Sequence, residues 1–167
     1  MRSGTGAQRG FSLIELMVSI SVLAILLSIA VPSFRDASLS SQLRSSSNDL
    51  VASTHFARSE ALKRNTVVTL CVSSDGTTCG AGGWEQGWIV VAGATLLNYH
   101  AATPSGLKIT DSGGATTLAF QPTGIGATPA SLTVCRATPS AGPQERVVTI
   151  DASGRAHVRT TMTGICS

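Results

Sequence analysis

The sequence predicts an α+β protein in which one long N-terminal helix packs on a C-terminal antiparallel β-sheet domain. The helix is of transmembrane length and composition in its first half and amphipathic in its second. Three observations carry this expectation. The 21 residues from Phe11 to Val31 contain a single charge, Glu15. From Leu39 to Ala61, apolar and small residues recur at helical steps of three and four. From Val67 onward, short segments rich in Val, Ile, Leu and Thr alternate with Gly-, Pro- and Ser-rich ones, the pattern of strands joined by turns. The organisation that follows is 1–10, a short basic leader; 11–31, the apolar helix; 32–65, the amphipathic helix; and 66–167, the β-rich domain.

As a helix, the apolar run is roughly 31 Å long, about the thickness of a bilayer's hydrocarbon core. Its carboxylate is the anomaly. A charged Glu in a membrane costs on the order of 3 kcal/mol even on lenient insertion scales, so one kept there normally has a partner. The obvious partner is an amine. Residues 1–10 hold Arg2 and Arg9 and no apolar stretch, whereas a secretory signal places its small-residue cleavage site behind the apolar region. The sequence Val31-Pro32-Ser33 offers no such site. The junction Arg9-Gly10|Phe11 does offer a small residue at a basic-to-apolar boundary. Cutting there leaves a free amino group on Phe11 and makes Glu15 the fifth residue of the mature chain.

The run Arg9-Gly10-Phe11-Ser12-Leu13-Ile14-Glu15-Leu16-Met17-Val18 resembles the class III signal of type IV pilins and type II secretion pseudopilins. The resemblance implies a prepilin peptidase that cuts after Gly10 and methylates Phe11. It also implies pairing of Glu15 with a neighbouring subunit's N-terminus during assembly. It places the chain in the bacterial inner membrane as a single-pass protein with a periplasmic C-terminal domain, and in a pilus or pseudopilus after assembly.

Composition agrees with such a chain. Charged residues make up 13% and the three aromatic types together 4%, so the core must be aliphatic. The net charge of +3 overstates the basicity. Loss of the leader removes Arg2 and Arg9 and no acid, which leaves +1. Anion binding must therefore rest on where charge sits and not on its total. The four cysteines, Cys71, Cys79, Cys135 and Cys166, are an even number in a domain expected to be exported. Three pairings exist. Proximity favours Cys71–Cys79 and Cys135–Cys166, and the intervals lack the C-x₂₋₄-C spacing of a zinc site. No metal and no cofactor is expected.

Along the chain, Pro32 removes a backbone donor and invites a kink. Leu39, Leu43, Leu50, Ala57 and Ala61 then form one helix face if Ser46 or Ser47 and Thr54 fill the gaps. Arg44, Asn48, Asp49, Arg58 and Glu60 are assigned to the polar side. Asn65 is placed as the C-cap, with Lys63 and Arg64 complementing the helix dipole. The stretch Ala57-Arg58-Ser59-Glu60-Ala61 followed by Val67-Val68-Thr69-Leu70-Cys71 resembles the FimT/GspH branch of minor pilins and pseudopilins. Arg58 and Glu60, two apart, are read as separate docking contacts. Strands are expected at 67–72, 84 or 88 to 91, 96–99, 107–110, 116–120, 131–135, 146–150 and 156–160. The segment Gly82-Gly83-Trp84-Glu85-Gln86-Gly87-Trp88 lacks the lysine and following helix of a phosphate loop and reads as a turn.

Three constellations bear on function. His55, His100 and His157 accompany many Ser and Asp residues, but no nucleophile elbow, metal spacing or paired-carboxylate motif goes with them, so no enzyme is expected. The apolar helix offers Glu15 and the small residues Ser19, Ser21, Ala24, Ser28 and Ala30 for packing against other pilins or pseudopilins. Finally, Arg155, His157 and Arg159 fall on one face of a strand by period-two alternation, with Arg146 across a Gly-centred hairpin. Guanidinium suits phosphate through its bidentate fork. The stretch resembles, in part, the Gly-Arg-x-Arg motif of FimT proteins that bind DNA in natural transformation. Gly154 and Arg155 match it, while His157 stands at the second Arg position. The resemblance thus implies a minor pilin or pseudopilin near a filament tip, with sequence-independent DNA binding. The alternative is a purely structural pseudopilus subunit for protein secretion, without nucleic acid.

Overall fold

The computed structural model describes residues 11–138 and 140–166. Helix α1 runs from Leu13 to Arg64, 52 residues with Pro32 inside it. Ser12 caps its start: the Glu15 N–H donates to Ser12 Oγ at 3.2 Å, and the Leu16 N–H to the Ser12 carbonyl at 3.1 Å. Asn65 ends it in the left-handed region at φ 51°, and the Thr66 N–H reaches back to the Ala61 carbonyl. That six-residue closure satisfies an orphan carbonyl of the last turn.

Two compact units share this helix, and the boundary falls between Ser38 and Leu39. In the first, every residue from Phe11 to Ala37 is exposed. By length and composition this part of α1 is sufficient to cross a membrane. In the second, Leu39, Leu43, Ser46, Ser47, Leu50, Thr54, Ala57, Glu60 and Ala61 are buried. Glu60 thus leaves the polar side assigned from sequence. Its carboxylate folds back onto its own helix, 2.5 Å from Arg64 Nε and 3.4 Å from Lys63 Nζ, and this pairing makes its burial tolerable. Hydroxyls along the helix bond to carbonyls one turn back: Ser19, Ser21 and Ser28 in the first unit, and Ser47, Ser53, Thr54 and Ser59 in the second.

Eight strands follow: β1 (Val68–Val72), β2 (Trp88–Ala92), β3 (Thr95–His100), β4 (Leu107–Asp111), β5 (Thr117–Phe120), β6 (Ala130–Arg136), β7 (Glu145–Ile150) and β8 (Ala156–Thr161). A single 3₁₀ turn, Trp84–Gln86, precedes β2. The strands form two antiparallel four-stranded sheets, ordered β3-β2-β1-β5 and β4-β6-β7-β8. In the second sheet, Ala130, Leu132, Val134, Val148 and Ile150 alternate onto one face and join Leu43, Leu50 and Ala57 of α1 in the core. The aliphatic core is completed by Trp84, Trp88 and Phe120, all fully buried. Trp88 donates from Nε1 to Ser53 Oγ at 2.8 Å and stacks on His100 with ring centroids 3.9 Å apart.

Two disulfides close the domain, Cys71–Cys79 and Cys135–Cys166, and no cysteine among the described residues is free. The first ties β1 to its own Gly-rich loop. The second holds the C-terminal segment on β6.

Candidate functional site

Phe11 stands exposed ahead of the first turn of α1, and Glu15 lies within that turn. A carboxylate there meets the positive end of the helix dipole. Gly10, the expected cleavage site, lies outside the described residues. Around Glu15 the apolar side chains Leu13, Ile14, Leu16, Met17 and Val18 are exposed.

The second candidate is the hairpin joining β7 to β8. Asp151 builds its turn. One carboxylate oxygen accepts the Ser153 hydroxyl at 2.6 Å and the N–H groups of Ser153 at 2.8 Å and Arg155 at 3.1 Å. The Ser153 hydroxyl and the Arg155 N–H hold the Asp151 carboxyl below its usual range, against a smaller opposing effect of desolvation. Gly154 adopts φ +72°, and a Cβ there would stand 3.1 Å from Arg58 Cδ and 3.3 Å from Phe120 Cδ1. Only glycine fits both the backbone conformation and the close approach. Its place before Arg155 is therefore required by packing.

Register fixes what the hairpin presents. His157 pairs with Thr149 and Arg159 with Val147, so these two share the face of the sheet turned away from α1, and Arg155 continues their alternation. All three are exposed. Arg146 does not join them. It pairs with Thr160, of the other parity, and so lies on the helix-facing side. There its Nη2 donates to Ser40 Oγ of α1 at 3.2 Å and to Gln144 Oε1 at 3.1 Å. The sequence expectation of a four-residue cluster is corrected to three. In an antiparallel pair, residues directly opposite share a face, and an even-numbered residue of β7 here faces an even-numbered residue of β8.

Arg58 and Glu60 make separate contacts. The Arg58 guanidinium donates to the Gly124 carbonyl, while Glu60 pairs with Lys63 and Arg64. Sequence reasoning missed Glu145, a carboxylate only 1% exposed and in no ion pair among the described residues. It accepts the Thr161 hydroxyl (2.7 Å), the Thr163 N–H (3.0 Å) and hydroxyl (2.9 Å), and the Gly164 N–H (2.7 Å). Burial pushes its pKa up, but these four donors outweigh burial and the net shift is downward. Glu145 pins the segment that Cys166 then locks. The only local signal was an acid opening a strand, which does not distinguish a pin from a solvated end.

The geometry assembles no catalytic constellation from the three histidines. His55 is exposed on α1, His100 lies on Trp88 with Nε2 3.4 Å from Asp49 Oδ2, and His157 is on β8.

Comparison with known proteins agrees with this geometry. The family model described as "Type II transport protein GspH" matches residues 46–154, more than half of the chain. That described as "Prokaryotic N-terminal methylation motif" matches residues 6–31. Two crystal structures of the type IV minor pilin FimU of Pseudomonas aeruginosa PAO1 are similar in fold. Each is 22% identical, with TM-scores of 0.56 and 0.57, and the matches cover 70% and 71% of this chain and 92% and 89% of those chains. The minor pseudopilin EpsH of the Vibrio cholerae type 2 secretion system is more distant, at 14% identity and a TM-score of 0.49, over 74% of this chain and 99% of that one. No curated protein matches the chain.

Proposed function

The chain belongs to the GspH family of type II transport proteins, and on that premise we propose that it is a minor pilin or pseudopilin, an assembly subunit and not an enzyme. The observation that carries this is the exposed apolar stretch of α1 with Glu15 as its one charge, four residues behind Phe11. Prepilin peptidase cuts after Gly10 and methylates Phe11. The run then lies in the inner membrane, with the C-terminal domain in the periplasm, until it packs among like helices. There Glu15 receives a neighbour's terminal amine, which relieves the cost of a carboxylate in apolar surroundings. Gly10→Val should leave residues 1–10 attached, read by mass spectrometry of the intact protein. A normal mature mass from that variant refutes the processing assignment. Glu15→Leu should be processed yet fail to sediment with filaments.

A second reading rests on one observation, the shared exposed face of Arg155, His157 and Arg159. That face contacts the phosphates of DNA without reading bases, as phosphate contacts do. Replacing Arg155 and Arg159 together by Ala should reduce the log–log salt slope for duplex DNA by about two units. The fold should be retained by circular dichroism, because exposed charges contribute little to stability. Equal affinity and equal slope for the two proteins leave the chain an assembly subunit alone.

A further inference from the structure

The strands at the edges of the two sheets are not held alike. β4 buries Leu107 and Ile109 in the core, and β5 buries Leu118 and Phe120. β3 lays Leu97 partly against it. β8 adds only the methyl group of Ala156, partly buried, while His157, Val158, Arg159 and Thr160 are exposed. Beyond its backbone bonds to β7, such a strand has little to offset the entropy lost on ordering. What fixes it lies at its two ends.

At the start, the Asp151 carboxylate gathers the hairpin turn and takes the N–H of Arg155. A second clamp stands at the far end. Glu145, opposite Thr161, accepts the Thr161 hydroxyl and then three donors from Thr163 and Gly164. Carried one residue past Val134 and Arg146, the β6–β7 register sets Cys135 opposite Glu145, and Cys135 is joined to Cys166. Glu145 and Cys135 are both buried, whereas Met162, Thr163, Gly164 and Ile165 are exposed. The segment that follows β8 is therefore held by one carboxylate and one disulfide and not by burial.

We propose that this clamp, Glu145 with the Cys135–Cys166 disulfide, positions β8 for phosphate binding by keeping Arg155, His157 and Arg159 extended on one face. The inference rests on the DNA reading above and names the residues on which that reading depends. Glu145 and the two cysteines are positioning residues: they act through the strand and touch no phosphate. The three basic side chains share a face only while the chain keeps a strand's period of two. Released at its far end, an exposed edge strand frays from that end, and Arg159, two residues before Thr161, is the first to leave. Binding must then order the strand as well, which weakens it.

The test uses the mature chain in detergent and reads amide hydrogen exchange together with duplex DNA titrations at several salt concentrations. One variant removes the clamp, Cys135→Ser with Cys166→Ser. Another removes the other disulfide, Cys71→Ser with Cys79→Ser, and leaves the clamp intact. Leu50→Ala, weakened in the core, controls for loss of stability alone. Without the clamp, the β8 amides should exchange at least about tenfold faster than in Leu50→Ala, while those of β2 match it. The log–log salt slope should fall by about one unit or more, and the Cys71→Ser, Cys79→Ser variant should keep the wild-type slope. Glu145→Gln, which retains both disulfides, should move both readouts in the same direction by less, and it decides the question if the clamp variant does not fold. A wild type that binds DNA, beside clamp variants of equal slope and equal β8 exchange, overturns the clamp and leaves the DNA reading standing. An equal fall in slope on loss of Cys71–Cys79 also overturns it, since any loosening would then do. A wild type without affinity for DNA overturns both.

Discussion

The two parts of α1 invert the usual relation between polarity and burial. Its first part is rich in Leu, Ile and Val and wholly exposed, whereas its second, diluted with Ser, Thr and Ala, is where burial begins. Ser46, Ser47, Thr54 and Ala57 are small and buried, so the buried face of this half takes little hydrophobic bulk. In the first unit none of the described residues from Phe11 to Ala37 is buried. An apolar face on a helix therefore does not by itself identify the face that folds the protein.

The comparison can be broken at several points, beginning with the largest effect. Cys166→Ser opens a loop of 31 residues' separation, and chain entropy puts the loss at about 4 kcal/mol in the second unit only. The domain's melting temperature should fall, Cys135 should become reactive to thiol reagents, and the helicity of residues 11–38 in detergent should not change. Leu50→Ala, at a fully buried site, should cost about 3 kcal/mol by chemical denaturation. Leu26→Ala, in the exposed run, should change domain stability by less than about 0.5 kcal/mol. Ser47→Leu sharpens the point: it raises apolarity in the buried half yet should destabilise by about 2 kcal/mol through overpacking. Glu145→Gln should cost about 1–2 kcal/mol at neutral pH, because an amide cannot accept at every position a carboxylate fills. Glu145 has a lowered pKa in the folded state, so its contribution is complete above the unfolded carboxyl value and is lost as pH falls through the folded one. Acid titration of stability should therefore be shallower in Glu145→Gln, and identical titrations would refute the pin.

Legibility from sequence followed the range of the interactions. The buried face from Leu39 to Ala61 and all eight strands rest on local periodicity, and each could be read from neighbours a few residues away. Arg155, His157 and Arg159 were legible as one face for the same reason. Arg146 was misplaced because its face depends on the register across a hairpin, which one strand's alternation does not determine. The roles of Glu145 and Glu60 were hidden differently. Glu145 depends on donors 16 to 19 residues further along, brought back by a chain reversal. Glu60 depends on which i+3 and i+4 partners fold over it.

The hydroxyls that bond to carbonyls one turn back have a consequence for transfer between solvents. Ser19, Ser21 and Ser28 discharge their donors on the helix itself, as Ser47 and Thr54 do beneath the sheets. A helix whose polar side chains are satisfied internally presents the same solvation requirement to lipid tails, to a bundle of like helices or to a sheet. Leaving one medium for another then exposes no unmet donor in these groups, and Glu15 is the charge left to be matched. The serines thus make the helix less polar than its composition suggests.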